Sequence, residues 1–168
     1  MPSTVRTKLP LHKFVVPPAR ATRRRPDLCD AAAMREILAA IVGRPLDAVT
    51  EARHWRDGVP GDSDDALIDL WLYFHDRPAV HVCGDDTGTR LVLTFDEPYP
   101  SYELGPYGEF RVEPVATGSP LADFVGHRLD GAAVLDAGTG VWLRFDHRDI
   151  VIAERDDDFV FITDAGKP

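Results

Sequence analysis

The sequence has few cysteines and no long run of apolar residues. Cys29 and Cys83 are its two cysteines, too few for the disulfide frameworks that stabilise small secreted domains. No apolar stretch approaches the ~20 residues that cross a bilayer. Near the N-terminus, prolines interrupt the apolar residues where a secretory signal needs a continuous segment. We therefore expect a cytoplasmic protein that does not associate with membranes.

Acidic residues are missing from the first 26 positions, although the whole chain has a formal net charge of −9. Residues 1–26 hold seven Lys and Arg and five prolines, which predicts a basic, partly disordered arm. The remaining residues hold the other 12 basic and all 28 acidic residues, a net charge of −16. Such an acidic body favours a basic protein partner and repels nucleic acid. Nucleic-acid binding is expected at most through the arm, at Arg20, Arg23, Arg24 and Arg25.

Two pairs of segments resemble each other within the chain. Residues 38–47 and 121–130 are identical at six of ten positions, including Gly43 and Gly126. Residues 71–80 and 142–151 share Trp, Leu, Phe, Arg and Val at corresponding positions. Self-similarity at this spacing indicates a duplicated structural unit.

Hydrophobic periodicity predicts the same order of elements in both segments. Apolar residues with helical spacing predict a helix from about Ala31 to Val42, which Gly43 ends. A shorter helix is predicted between Ser119 and Gly126, and short alternating strands follow each helix. We therefore predict an α+β fold of two pseudo-symmetric halves, each a short helix followed by an antiparallel β-meander. The first half covers residues 27–96, a Tyr/Pro/Gly-rich connector with one strand covers 97–118, and the second half covers 119–168.

Residue patterns typical of catalysis are absent from the sequence. It has no Gly-rich phosphate loop, no Gly-x-Ser-x-Gly elbow and no Cys-x-x-Cys motif. His75-Asp76 and Asp146-His147 fall at predicted hairpin turns, where these residue types tolerate a positive φ angle. We interpret both pairs as turn residues, and we predict no catalytic residue and no cofactor.

His81 and Cys83 are the candidate ligands for a metal site. These residues are two apart on a predicted strand, so their side chains point to the same face. Zinc takes about four ligands, and the nearest further candidates, His75 and Asp85, lie at predicted turns. The sequence therefore favours a buried cysteine and a partly buried histidine over a metal site.

Three of the four tyrosines lie in the connector, among prolines, glycines and carboxylates. Tyrosine is enriched at protein interfaces because its ring contributes a large contact area at low entropic cost. A linker whose tyrosines cover the open ends of the sheets is the alternative interpretation. The candidate partner-binding residues are Tyr99, Tyr102, Tyr107, Glu97, Glu103 and Glu109.

A Gly-x-x-Leu … Trp-Leu-x-Phe pattern occurs twice, at Gly43, Leu46, Trp71, Leu72 and Phe74 and again at Gly126, Leu129, Trp142, Leu143 and Phe145. With the acidic body, it resembles the small bacterial immunity proteins that neutralise toxins, and also uncharacterised duplicated α+β domains. The resemblance implies a non-catalytic, protein-binding module that inhibits a basic toxin or enzyme. The alternative is a small-molecule-binding protein or enzyme whose cleft between the halves uses His54, His75, His81 or His147.

Overall fold

The computed structural model describes residues 31–61, 66–155 and 158–164. The predicted arm, residues 1–26, lies outside this part of the chain. The described elements are α1 (Ala31–Ile41), β1 (Leu46–Arg56), β2 (Val59–Pro60), β3 (Leu67–Phe74), β4 (Val80–Gly84), β5 (Leu91–Phe95), β6 (Tyr102–Glu103), β7 (Glu109–Pro114), β8 (Leu129–Leu135), β9 (Gly140–Phe145), β10 (Arg148–Arg155) and β11 (Asp158–Thr163). Short 3-10 helices occur at Gly105–Tyr107, Ala122–Phe124 and Asp136–Gly138. Within the described residues, no helix is long and apolar enough to span a membrane.

The described strands form two antiparallel sheets. The first has seven strands in the order β5-β4-β3-β1-β7-β6, with β2 paired to β1, and the second has four in the order β11-β10-β9-β8. The protein is thus mostly antiparallel β, and the predicted α+β fold of two pseudo-symmetric helix-plus-meander halves is wrong.

Two features of the chain break the predicted symmetry. The segment between Ser119 and Gly126 forms only the three-residue 3-10 helix Ala122–Phe124. It is too short for an α-helix, whose first turn fixes several residues for a single hydrogen bond. In addition, β6 and β7 come from the connector and extend the first sheet through the pairing of β7 with β1.

The two similar glycine segments still meet in the structure. Gly43 has φ +86° and Gly126 has φ +87°. The Gly43 N–H donates to the Leu129 carbonyl at 2.7 Å, and the Gly126 N–H donates to the Leu46 carbonyl at 2.8 Å. The segments that lead into β1 and β8 are therefore held together by reciprocal backbone hydrogen bonds.

The main apolar core lies between α1 and the inner faces of both sheets. Helix α1 contributes Met34, Leu38 and Ile41, which share one face because they are three or four residues apart. In β3, residues Leu70 and Leu72 join this core, while Trp71 between them points to the outer face. Both Trp71 and Trp142 are buried, but neither belongs to the main core.

The connector covers the outer face of the first sheet. It leaves β5 at one edge of the strand order and reaches β6 at the other edge. On the way, Tyr99 packs against a separate apolar cluster of Ala52, Trp71 and Ala79. The crossing therefore brings a connector side chain onto the middle strands of the sheet.

Candidate functional site

A buried polar cluster lies beneath the connector. Strands β3 and β4 pair with Asp69 opposite Cys83 and Trp71 opposite His81. Asp69 Oδ1 lies 2.9 Å from His81 Nε2, and Asp69 Oδ2 accepts a 2.5 Å hydrogen bond from the Tyr99 hydroxyl. Asp69, His81 and Cys83 are only 1 %, 8 % and 4 % exposed. We call these three residues together with Tyr99 the polar cluster.

Three donor atoms of the polar cluster are close enough together to coordinate one metal ion. One ligand atom each of Asp69, His81 and Cys83 lies within 4.8 Å of the other two. The sequence identified His81 and Cys83 on a common face but missed Asp69, whose position depends on strand register. The sequence feature that could have indicated Asp69 is that its carboxylate is the one charged group in β3. Asp85, considered as a further ligand, instead accepts hydrogen bonds from Thr87 and Thr89 in its own turn.

A row of aromatic rings runs from the polar cluster across the outer face. The Trp71 ring stacks on His81 with centroids 4.8 Å apart, and Tyr99 meets Trp71 edge-on at 5.2 Å. The row continues through Tyr102, Phe110 and His54, with centroid separations of 5.8, 5.2 and 5.5 Å. Tyr99 and Tyr102 are thus half-buried members of this packed row.

The predicted partner-binding residues are divided between two places. Tyr99 reaches Asp69, and the exposed Glu97 lies two residues before it in the crossing segment. Glu103, Tyr107 and Glu109 lie around the turn between β6 and β7. Tyr107 is the most exposed of the three tyrosines, with 53 % of its surface accessible.

The β6–β7 turn lies beside the β1–β2 hairpin. Trp55 pairs with Glu109 on one side and with Pro60 on the other. Val59, at the hairpin, is 62 % exposed. We call Trp55, Val59, Glu103, Tyr107 and Glu109 the hairpin surface. It combines exposed apolar area with carboxylates.

Arg111 lies among the carboxylates of the hairpin surface, with Arg53 directly opposite it in β1 and Arg56 opposite Val59. The Arg111 guanidinium lies 4.0 Å from the Trp55 ring centre, and its Nε donates to Glu109 at 2.7 Å. This hydrogen bond and the charges of Glu109, Glu113 and Glu103 raise the pKa of Arg111. Three carboxylates therefore act on one guanidinium, which stays charged at all physiological pH values.

A cavity of about 510 Å³ lies near the hairpin surface, lined by residues of β1 and β7, by residues 60–61, 116 and 118–120, and by Phe161. Its polar lining includes the buried Glu51, which accepts hydrogen bonds from Arg53 Nε and Ser119 Oγ, both at 2.8 Å. None of the described histidines lines it. The described cavity therefore differs from the His-lined cleft considered from sequence.

The histidines of that predicted cleft contact different neighbours. His54 bonds the Tyr107 carbonyl, whereas His75 bonds Asp47. His81 belongs to the polar cluster, and His147 lies in the turn between β9 and β10 with φ +77°. The described contacts do not bring three histidines together.

Comparison of the chain with protein-family models, curated proteins and solved structures finds no match in any of the three. The resemblance to immunity proteins therefore stays a prediction. The function has to be inferred from the polar cluster, the hairpin surface and the cavity.

Proposed function

We propose that this chain is a non-catalytic binding module that docks a basic protein partner on its hairpin surface. The observations behind the proposal are the carboxylates of Glu103, Glu109 and Glu113, whose charges act on Arg111, and the exposed side chains of Val59 and Tyr107 at the same end of the first sheet. A surface of this kind offers both charge and apolar area to a partner.

The carboxylates favour a cationic partner. Glu109 already accepts hydrogen bonds from Arg111, so one of the three negative charges is locally compensated. Glu103 and Glu113 are exposed and add negative charge, while the exposed Arg56 opposite Val59 adds one positive charge at the same end of the sheet. Complementary charge accelerates encounter with a basic surface and penalises acidic competitors.

The apolar side chains supply affinity. Tyr107 and Val59 are exposed in the free protein, so they lose contact with water only when a partner covers them. Aromatic residues at the centre of an interface carry a large share of its binding energy. The backbone of Tyr107 is held in place, because its carbonyl accepts a hydrogen bond from His54 Nε2 at 2.7 Å. Such preorganisation lowers the entropic cost of docking.

More specifically, we propose that the partner is a basic toxin or enzyme, which this chain inhibits stoichiometrically in the cytoplasm. This proposal is supported by the sequence resemblance to immunity proteins and by the acidic body, whose residues 27–168 carry a net charge of −16.

Replacing Tyr107 with alanine should weaken partner binding by about 2 kcal/mol, roughly 30-fold in Kd, if it is a central anchor. Stability should change little, because the ring is largely exposed. The full chain is used to capture proteins from the source cell, and Kd is then measured with the purified partner by calorimetry. Glu103→Gln should mainly slow association at low salt.

Phe95→Ala is the matched control, because Phe95 is an exposed aromatic residue on β5, at the opposite edge of the first sheet. It should leave Kd unchanged. Equal losses for Tyr107→Ala and Phe95→Ala, or a captured partner with an acidic surface, would contradict docking on the hairpin surface.

A second candidate function is the binding of a small molecule in the cavity. The cavity volume suits a metabolite-sized ligand, and the buried Glu51 offers a fixed polar group. A ligand screened by thermal shift should raise the melting temperature of the wild-type chain. Ala116→Trp, which fills the cavity from an exposed position, should abolish that rise. A rise that persists in this variant places the ligand elsewhere.

A further inference from the structure

We propose that Asp69, His81 and Cys83 form a binding site for a divalent transition metal ion, with zinc the best suited. The site lies on the outer face of the first sheet, and it does not depend on partner binding at the hairpin surface. The observation behind it is the convergence of three different donor atoms within 4.8 Å, all on buried residues.

The donor set selects the class of metal. It offers one carboxylate oxygen, one imidazole nitrogen and one sulfur. Calcium and magnesium take oxygen ligands, so the nitrogen and sulfur argue against both. Zinc accepts all three donor types, and thiolate favours it further over metals that prefer oxygen.

The distances between the three donor atoms are close to those between the ligand atoms of a tetrahedral zinc site. Metal–ligand bonds of about 2.0–2.3 Å place the donor atoms of a zinc site roughly 3.3–3.8 Å apart. Asp69 Oδ1 and His81 Nε2 are 2.9 Å apart, and no separation among the three donors exceeds 4.8 Å. Side-chain shifts of about an ångström therefore suffice to place one ion between them. Three protein ligands leave the fourth position to water.

The neighbouring residues hold the proposed ligands in place. The Tyr99 hydroxyl donates to Asp69 Oδ2, which leaves Oδ1 on the side of His81. The Trp71 ring stacks on the His81 ring with an interplanar angle of 6°, which restricts its rotation. Metal ligands in proteins are commonly oriented by such outer hydrogen bonds and packing. All three ligands also lie on paired strands, which position side chains more precisely than loops do.

A metal ion also balances the charge of this buried cluster. Asp69 is 1 % exposed, and its two carboxylate oxygens have His81 and Tyr99 as polar partners, to which a bound cation adds direct charge compensation. When Cys83 binds as thiolate and His81 as neutral imidazole, the two negative charges of Asp69 and Cys83 match a divalent cation. Binding then releases the protons of the thiol and of any protonated imidazole, so metal affinity should fall at acidic pH.

Cobalt is the probe, because a cobalt–thiolate bond gives an intense near-ultraviolet charge-transfer band. The full chain is expressed in zinc-poor medium containing cobalt and purified in its folded form. We expect one equivalent of metal per chain, counted as cobalt plus zinc by mass spectrometry, together with the charge-transfer band. The folded wild-type chain alone thus tests the proposal.

Variants then locate the site. Cys83→Ser should remove the charge-transfer band, whereas Cys29→Ser should keep it. Tyr99→Phe should keep the band but lower metal affinity by about 10–100-fold in chelator competition, since it removes the hydroxyl that donates to Asp69 and keeps the ring. His75→Gln is the matched control for a histidine, because His75 lies in an exposed turn and bonds Asp47.

The proposal is overturned if the folded wild-type chain carries no metal and shows no band. It is also overturned if the band survives in Cys83→Ser, or if His75→Gln and Tyr99→Phe weaken binding equally. If Cys83→Ser does not fold, Cys29→Ser still decides the question. Loss of the band in Cys29→Ser refutes the site. Retention of the band in Cys29→Ser, together with weaker metal binding by Tyr99→Phe, supports the site.

Discussion

Trp71→Ala should lower the free energy of unfolding by about 3–5 kcal/mol, the range for a large aromatic residue removed from a packed site. Trp71 is 0 % exposed although it lies outside the main core. Its ring contacts Tyr99 and His81 and packs against Ala52 and Ala79. The small alanines have little freedom to fill the space, so a cavity should remain. Chemical denaturation monitored by circular dichroism measures the loss.

Phe95→Ala is the control for this substitution as well. Phe95 is exposed at the end of β5, so its removal should change stability by no more than about 0.5 kcal/mol. Trp142→Ala should cost as much as Trp71→Ala, because Trp142 is also buried. An unchanged denaturation midpoint for Trp71→Ala would show that the connector does not pack tightly on the outer face.

Gly108→Ala should destabilise the protein by about 3 kcal/mol or more, because two costs combine. Gly108 has φ +103°, a conformation that residues with a Cβ atom rarely adopt. An added Cβ would also lie 2.0 Å from the carbonyl oxygen of Trp55. That oxygen belongs to β1, which at Trp55 pairs with Pro60 of β2 and with Glu109 of β7, so it cannot move away without disturbing the sheet.

Gly105→Ala is a comparison without the close contact. Gly105 also has a positive φ, +62°, but a Cβ built there meets nothing within 4 Å. It should therefore cost only the backbone strain, about 1–2 kcal/mol. Similar losses for both variants would mean that the Gly108 backbone does not approach Trp55 closely. Denaturant midpoints of the two variants, measured side by side, decide between these results.

Local patterns in the sequence were sufficient for the elements whose partners are near in the chain. The helical spacing of apolar residues predicted α1 to within one residue at its C-terminal end, and alternation predicted that short strands follow it. The pairs His75-Asp76 and Asp146-His147 were read as turns, and Asp76, Asp146 and His147 do have positive φ angles. Each of these features depends on the side-chain period or on the backbone preference of a few adjacent residues.

Only the tertiary structure decided how the strands pair and which side chains meet. The path of the connector from β5 to β6 placed Tyr99 over Trp71, and the pairing of β7 with β1 enlarged one sheet at the expense of the predicted symmetry. The register of β3 and β4 set Asp69 opposite Cys83. A shift of one residue in that register would have turned Asp69 toward the apolar core. Register depends on burial and on contacts between residues far apart in sequence, so no local pattern could reveal the polar cluster.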